Sequence, residues 1–116
     1  MSNIANDRRV DYLEFPALDI AATKAFYQTV FGWKFTDYGA DYTSFEDGRL
    51  GGGFWKAGKI PGAGALVVIY ASDLAAVESA IKAAGGAIVR DTFSFPGGRR
   101  FHFTDPSGNE LAVWSE

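Results

Sequence analysis

A short pattern that occurs twice constrains the fold of this chain more than any other feature. Asp19 is followed by Ile-Ala-Ala and, thirteen residues on, by Gly32; Asp73 is followed by Leu-Ala-Ala and, at the same spacing, by Gly86. Aspartate is a preferred helix N-cap, and glycine is the residue that most often follows the last helical turn. The repeat therefore predicts two equivalent helices, one in each half of the chain.

Short alternating or apolar segments surround both predicted helices and indicate strands. The expected elements are strands at about 10–15, 33–37, 42–46 and 49–56, a helix near 19–31, then strands at about 65–71, 87–95, 99–104 and 110–114, with a helix near 73–85. We expect Pro16 to end the first strand and Asp47-Gly48 to form a two-residue hairpin turn. Each half then has the order βαβββ.

This order predicts a single α+β domain over residues 1–116. Module 1 spans about 10–56, a glycine-rich linker spans 57–64, and module 2 spans about 65–115. A doubly wound sheet would alternate strands and helices, and a ferredoxin-like fold would place a helix after every second strand. We expect two tandem βαβββ modules that form a curved eight-stranded mixed sheet, with helices outside and a concave cleft.

Composition excludes several classes of protein. A net charge of −3 and a pI near 5.1 argue against a nucleic-acid partner and permit a cationic ligand. The absence of cysteine excludes disulfides and zinc ribbons, and no apolar run is long enough to predict a membrane span. We expect a cytoplasmic protein whose residues 1–8 are loosely held. Aromatic residues make up 16% of the chain, enough for a core and an apolar pocket.

The segment from Arg99 to Trp114 indicates a hairpin around a type I turn at Asp105-Pro106-Ser107-Gly108. Alternation separates two faces. The apolar face carries Phe101, Phe103, Leu111 and Val113, and the other face carries Arg100, His102, Thr104, Glu110, Ala112 and Trp114. The first face suits packing against a helix, and the second suits a ligand cleft.

The paired βαβββ order, the segment FYQTVFGW and the closing segment FHFTDPSGNELAVW resemble the glyoxalase/bleomycin-resistance/dioxygenase superfamily, also called vicinal oxygen chelate. The resemblance extends from about Val10 to Trp114 and is closest to small proteins described as related to lactoylglutathione lyase. It implies a divalent metal at the base of the cleft. The family's ligand positions fall on Val10, Leu66 and Ala112, with a fourth near Gly53 or Phe54.

None of these side chains binds a metal ion, so we expect a degenerate metal site and no cofactor. An alternative site would use Glu14, His102 and Glu110 to hold a divalent metal. The resemblance and the face pattern together give the candidate ligand-binding residues His102, Arg100, Trp114, Tyr12, Glu14 and Tyr70. For His102 a purely structural role, and for Glu14 an ion pair with Arg99 or Arg100, stay open as alternatives.

Two functions follow from these expectations. The first is a binding protein that holds a small apolar or cationic organic ligand in an aromatic cleft without metal. The alternative is a metal-dependent lyase, isomerase or dioxygenase whose ligands are shifted or come from a second subunit. We expect a homodimer, because pairing of subunits covers sheet edges. The segment Gly51-Gly52-Gly53 indicates either a bulge or a place where a ligand or a second subunit comes close to the backbone.

Overall fold

The computed structural model describes residues 4–59, 64–106 and 108–116. In chain order, a short 3₁₀ helix (Ile4–Asn6) precedes β1 (Val10–Ala17), α1 (Ile20–Phe31), β2 (Lys34–Asp37), β3 (Tyr42–Glu46), β4 (Gly51–Lys56), β5 (Leu66–Tyr70), α2 (Leu74–Ala83), β6 (Ala87–Phe95), β7 (Gly98–Thr104) and β8 (Glu110–Ser115). The predicted order βαβββ-βαβββ is confirmed. In these described ranges, no helix combines the length and the apolar character that crossing a bilayer requires.

The strands form one eight-stranded mixed sheet in the order β2-β3-β4-β1-β5-β8-β7-β6. The β1–β4 and β5–β8 pairs are parallel, and the hairpin pairs are antiparallel. This confirms the predicted α+β class, while the concave cleft stays a prediction. The chain divides into two compact units: the first unit is residues 12–66, and the second unit is residues 67–116 together with the segment up to Asp11.

Both helices begin as the repeated pattern predicts. Asp19 accepts a hydrogen bond from the Ala22 N–H at 3.0 Å, and Asp73 accepts one from the Ala76 N–H at the same distance. Gly32 takes the left-handed conformation after α1 (φ 72°), and after α2 it is Gly85 (φ 97°), the first of the two adjacent glycines, Gly85-Gly86, that are expected to end this helix.

The core of the second unit lies between α2 and one face of the sheet. It contains Ala71, Leu74, Phe101, Phe103 and Val113, with Val77, Ile81, Ile88 and Leu111 packed against them. Phe101 has no exposed surface. The predicted assignment of the apolar hairpin residues to the helix-packed face is therefore confirmed, and His102 lies on the opposite face.

The core of the first unit is mainly aromatic. Ala17, Phe45 and Phe54 are buried, with Phe15, Ile20, Tyr27, Trp33 and Phe35 packed against them. The Trp33 ring stacks on Phe45 with centroids 4.6 Å apart. By contrast, Phe26, Val30 and Phe31 of α1 are each more than half exposed.

Two predictions about the first unit were wrong in detail. β1 continues through Pro16, which pairs with Trp55, because proline fits extended backbone and lacks only the N–H. The β3–β4 connection is four residues long, because the Asp47 carboxylate accepts hydrogen bonds from the N–H groups of Arg49 and Leu50 and so builds a wider loop. The predicted linker is described only in part, since residues 60–63 lie outside the described ranges.

Residues 1–8 were predicted to be loosely held; residues 1–3 lie outside the described ranges, and residues 4–8 are attached to the second unit. The Asp7 carboxylate accepts hydrogen bonds from the Ser72 N–H at 2.8 Å and the Ser72 hydroxyl at 3.0 Å, and these bonds lower the pKa of Asp7. The Arg8 N–H donates to the Tyr70 carbonyl at 2.7 Å. The polar sequence of this segment does not indicate the attachment, because its partners Tyr70 and Ser72 are far along the chain. In the second hairpin, the Gly108 N–H donates to the Asp105 carbonyl as in a β-turn, and Ser107 lies outside the described residues.

Candidate ligand-binding face

The side chains of β5, β7 and β8 that point away from α2 bring together four of the predicted site residues. Arg100 pairs with Trp114 across β7 and β8, His102 pairs with Ala112, and Tyr70 of β5 pairs with Trp114. The aromatic rings of Tyr70 and Trp114 meet edge to face at 5.2 Å. We call this surface, with Arg90, Phe93 and Phe95 of β6 and Glu110 of β8, the His102 face.

Arginine and aromatic side chains cover the β6 side of the His102 face. The β6–β7 pairing shifts register on both sides of Arg90, and such irregularities redirect side chains. The Arg90 guanidinium carbon lies 3.8 Å from the centroid of the Phe93 ring, and that of Arg100 lies 5.6 Å from the same ring. Phe95 lies 6.3 Å from Trp114. The N–H groups of a stacked guanidinium lie in the plane of the guanidinium, so the stacking does not use them as donors.

His102 is the most deeply placed polar group of this face, with only 6% of its surface exposed. Its Nδ1 lies 2.9 Å from Oε2 of Glu110, whose side chain is about half exposed (53%). Its Nε2 is buried, and none of the described residues gives it a hydrogen-bond partner. Buried polar atoms are nearly always paired, so this nitrogen requires an explanation.

Trp114 and Tyr70 are fixed by carboxylates that the sequence did not reveal. The Trp114 indole N–H donates to Oδ2 of Asp11 at 3.0 Å. The Tyr70 hydroxyl donates to the Glu116 carboxylate, and this bond raises the pKa of Tyr70 to about 12. Both rings are thereby held in one orientation, which suits a rigid wall.

The first unit contains the remaining predicted residues, Tyr12 and Glu14, on the sheet face opposite its aromatic core. The Tyr42 hydroxyl donates to Oε2 of Glu14 at 2.9 Å, so the Tyr12 hydroxyl, 2.6 Å away, donates to Tyr42. Burial, then the bond with Tyr12 and the charge of Glu14, raise the pKa of Tyr42 far above that of a free phenol. Tyr42 is thus one partner of the buried Glu14; an ion pair with Arg99 or Arg100 stays a prediction.

Two of the three glycines of β4, Gly52 and Gly53, make room for neighbouring atoms of their own unit. A Cβ on Gly53 would lie 1.9 Å from the Tyr42 hydroxyl oxygen and 2.8 Å from that of Tyr12. A Cβ on Gly52 would lie 2.3 Å from the Leu13 carbonyl oxygen. The described pairs of β4 with β1 and β3 run in continuous register, so the bulge considered for this segment does not form.

Residues 9–113 match the sequence profile of the Glyoxalase/Bleomycin resistance protein/Dioxygenase superfamily. The chain belongs to this superfamily. No curated protein matches the sequence significantly.

Solved structures with the same fold include several superfamily members. Methylmalonyl-CoA epimerase from Mycobacterium tuberculosis is similar with a TM-score of 0.76 and 11% identity, over 91% of this chain and 86% of that one. A superfamily member from Vibrio splendidus 12B01 is similar with a TM-score of 0.72 and 15% identity, over 93% of this chain and 98% of that one. The Mn(II)-bound glyoxalase from Novosphingobium aromaticivorans is similar with a TM-score of 0.70 and 22% identity, over 95% of this chain but 39% of that one. At these identities the similarity shows the fold alone.

The superfamily's metal positions can be compared with the ladders of the sheet. Glu14 pairs with Gly53 in the β1–β4 ladder, and Val68 pairs with Ala112 in the equivalent β5–β8 ladder. Asp19 and Asp73 are equivalent helix caps, and moving along the chain by the distance between them carries Glu14 to Val68. Because Glu14 pairs with Gly53 and Val68 pairs with Ala112, Gly53 rather than Phe54 is the counterpart of Ala112. The same step maps Tyr12, and not Val10, onto Leu66.

These residues do not fit a metal ion. Gly53, Leu66 and Ala112 offer no side-chain donor, and the phenol of Tyr12 is already bonded to Tyr42. Over the described ranges, no three His, Asp or Glu side chains come together as metal ligands, so the alternative set of Glu14, His102 and Glu110 is not formed there. No step of a mechanism is therefore derived through a metal.

Sequence reasoning missed Tyr42, Asp11, Glu116 and the β6 side chains of the His102 face. Alternation assigns each of these residues to a face of its own strand, but it does not say which strands are neighbours. The usable signal was Gly53, since a glycine inside a strand often marks a place where a large side chain crosses.

Proposed function

We propose that this superfamily member binds a small, largely apolar organic molecule at the His102 face without a metal ion. The observation that carries the proposal is the set of four aromatic rings, Tyr70, Phe93, Phe95 and Trp114, on a sheet face away from the helix. Ligand sites combine such apolar walls with a few well-placed polar groups, and here Arg100 and His102 are the polar groups.

The side chains of this face distinguish between the two ligand classes expected from the sequence. The Arg90 and Arg100 guanidinium groups both lie over aromatic rings of the face. They occupy the faces of the Phe93 and Phe95 rings on which a cationic ligand would stack, whereas a neutral or anionic ligand does not depend on that contact. Of an apolar and a cationic ligand, the occupied ring faces therefore favour the apolar one, even though Asp11, Glu110 and Glu116 bond to residues of this face and the whole chain has a net charge of −3.

The first unit supports binding without a metal. A donor side chain at position 53 would need the space that the Tyr12 and Tyr42 hydroxyls fill. Replacing the glycine by a metal-binding residue would displace both tyrosines, so the present sequence favours a hydrogen-bonded cluster at this position.

Three probes that share one ring and differ in charge test the proposal: toluene, benzoate and benzylammonium. In buffer containing EDTA, we expect toluene and benzoate to shift the backbone NMR signals of β6, β7 and β8, and benzylammonium to bind more weakly. Phe95→Ala should weaken binding, whereas Phe26→Ala on the exposed side of α1 serves as the matched control. Absence of binding by all three probes, or binding only after a metal is added, would refute the proposal.

The competing function is a metal-dependent lyase, isomerase or dioxygenase. The matched superfamily and the Mn(II)-bound glyoxalase among the similar structures are what favour it. Elemental analysis of protein purified without chelator separates the two. Stoichiometric nickel, zinc or iron that survives dialysis and disappears in Glu110→Ala would restore the enzyme hypothesis.

A further inference from the structure

The Nε2 atom of His102 is a buried polar atom for which the described residues supply no partner. Its neighbours explain why. Ala112, directly across the ladder in β8, has no polar side-chain atom, and Arg90, across the ladder in β6, is held over the Phe93 ring. An atom left in this state lowers stability until a hydrogen-bonding group reaches it.

The Glu110 carboxylate decides what kind of group that must be. An ionised carboxylate only accepts hydrogen bonds, so the contact at 2.9 Å places a proton on Nδ1 of His102. In a neutral imidazole with a proton on Nδ1, the other nitrogen presents a lone pair. Nε2 is then an acceptor, and its partner must be a donor.

We propose that His102 is the specificity-determining residue of the His102 face and accepts a hydrogen bond from a ligand hydroxyl, with Glu110 as the positioning residue that fixes the tautomer. This inference rests on the proposed function and adds the ligand class: a neutral aromatic or aliphatic alcohol. An ammonium donor is disfavoured because the Arg90 and Arg100 guanidinium groups already lie over the Phe93 ring, where the cation would stack. A hydroxyl next to a ring fits the Phe93 side chain, whose centroid lies 5.9 Å from that of His102.

A ligand reaches Nε2 only if its cover moves. Arg90 is exposed, stacks on Phe93 and lies between the two register shifts of β6, and Phe93 comes directly after the second shift. Asp91 and Thr92, between these two residues, form no ladder pair with β7, so the backbone next to Arg90 is held by fewer sheet bonds. The cover is therefore the part of this face that can move at least cost.

Phenol and anisole test the inference, because they share a ring and only phenol has a donor. In EDTA-containing buffer we expect phenol to bind about tenfold more tightly than anisole, the effect of one hydrogen bond to a buried acceptor. His102→Phe should abolish this preference and leave anisole affinity within about twofold. Glu110→Gln, whose amide can donate to Nδ1, should reduce the preference through the tautomer and provides a second variant if His102→Phe does not fold.

His102 is the single histidine of the chain, so ¹⁵N-histidine spectra report it without ambiguity. We expect the proton on Nδ1 in the free protein and a change at Nε2 with phenol but not with anisole. Equal affinity for both probes, a proton on Nε2, or an Nε2 signal that only a metal changes would overturn the inference and leave apolar binding standing. If neither probe binds, the proposed function fails and the inference fails with it.

Discussion

Replacing Tyr42 by phenylalanine tests the hydrogen-bonded cluster of the first unit most directly. The variant removes the bond that Tyr42 donates to Glu14 at 2.9 Å and the one it accepts from Tyr12 at 2.6 Å. A bond to a charged group contributes about 1.5–3 kcal/mol, and a neutral one about 1 kcal/mol. Because Glu14 is only 8% exposed, water does not replace the lost donor easily. We expect the free energy of unfolding to fall by about 3 kcal/mol.

Because Tyr12 donates to Tyr42 and Tyr42 donates to Glu14, substitution of Tyr12 provides a control for substitution of Tyr42. Tyr12→Phe removes the bond to Tyr42 and leaves the bond from Tyr42 to Glu14, so it should cost about 1 kcal/mol. Once Tyr42 has lost its hydroxyl, that bond is already absent, so the double variant should cost less than the sum of the two single substitutions. Tyr38→Phe, at a side chain 63% exposed, should change stability by less than about 0.5 kcal/mol.

Urea unfolding followed by circular dichroism at pH 7 measures all four variants. The reasoning is refuted if Tyr42→Phe costs no more than Tyr38→Phe, or if the two cluster substitutions are additive. Alkaline pH gives an independent check. The pKa of Tyr42 is raised in the folded protein, so its contribution is complete below the pKa of an unfolded tyrosine, about 10, and is lost as pH rises above it. Tyr42→Phe should lose less stability over that range than the wild type.

Further predictions concern the cores, the caps, the second unit and assembly. Phe101→Ala should cost about 3–5 kcal/mol, because its fully buried ring leaves a cavity under α2, whereas Phe26→Ala on the exposed side of α1 should cost little; thermal unfolding compares them. Asp73→Ala should cost about 1 kcal/mol by removing the α2 cap, measured in urea, and no loss would contradict the capping bond. The Tyr70 phenol should titrate near pH 12 by ultraviolet absorbance and return toward 10 in Glu116→Gln, because the carboxylate that stabilises its neutral form is gone. Sedimentation should give a homodimer, and a 12.5 kDa monomer at micromolar concentration would count against it.

The sequence was most informative where structure depends on near neighbours. The Asp19 and Asp73 caps lie three residues from their partners, and alternation within β7 was enough to separate Phe101 from His102. The same alternation, with the hairpin, placed Glu110 and His102 on one face. It did not specify that these two side chains pair with each other.

Features that depend on strand neighbours could not be read from the sequence. Gly53 matters because β1 and β3 lie on either side of β4 and send Tyr12 and Tyr42 toward it. Nothing local in the sequence states that arrangement. The wide loop after Asp47 was missed for another reason: a carboxylate that bonds two backbone N–H groups competes with the tight turn that Asp-Gly favours.

The attachment of the segment up to Asp11 to the second unit has a consequence for the order of folding during synthesis. Asp7 bonds to a residue 65 positions later, and Asp11 bonds to Trp114 at a separation of 103. The first unit has no such requirement, since residues 12–66 are contiguous. On the ribosome, the first unit can therefore close its core while the segment before it is still without its partners. Asp7 and Asp11 are therefore made before the first unit but reach their final contacts only after β8 has been made.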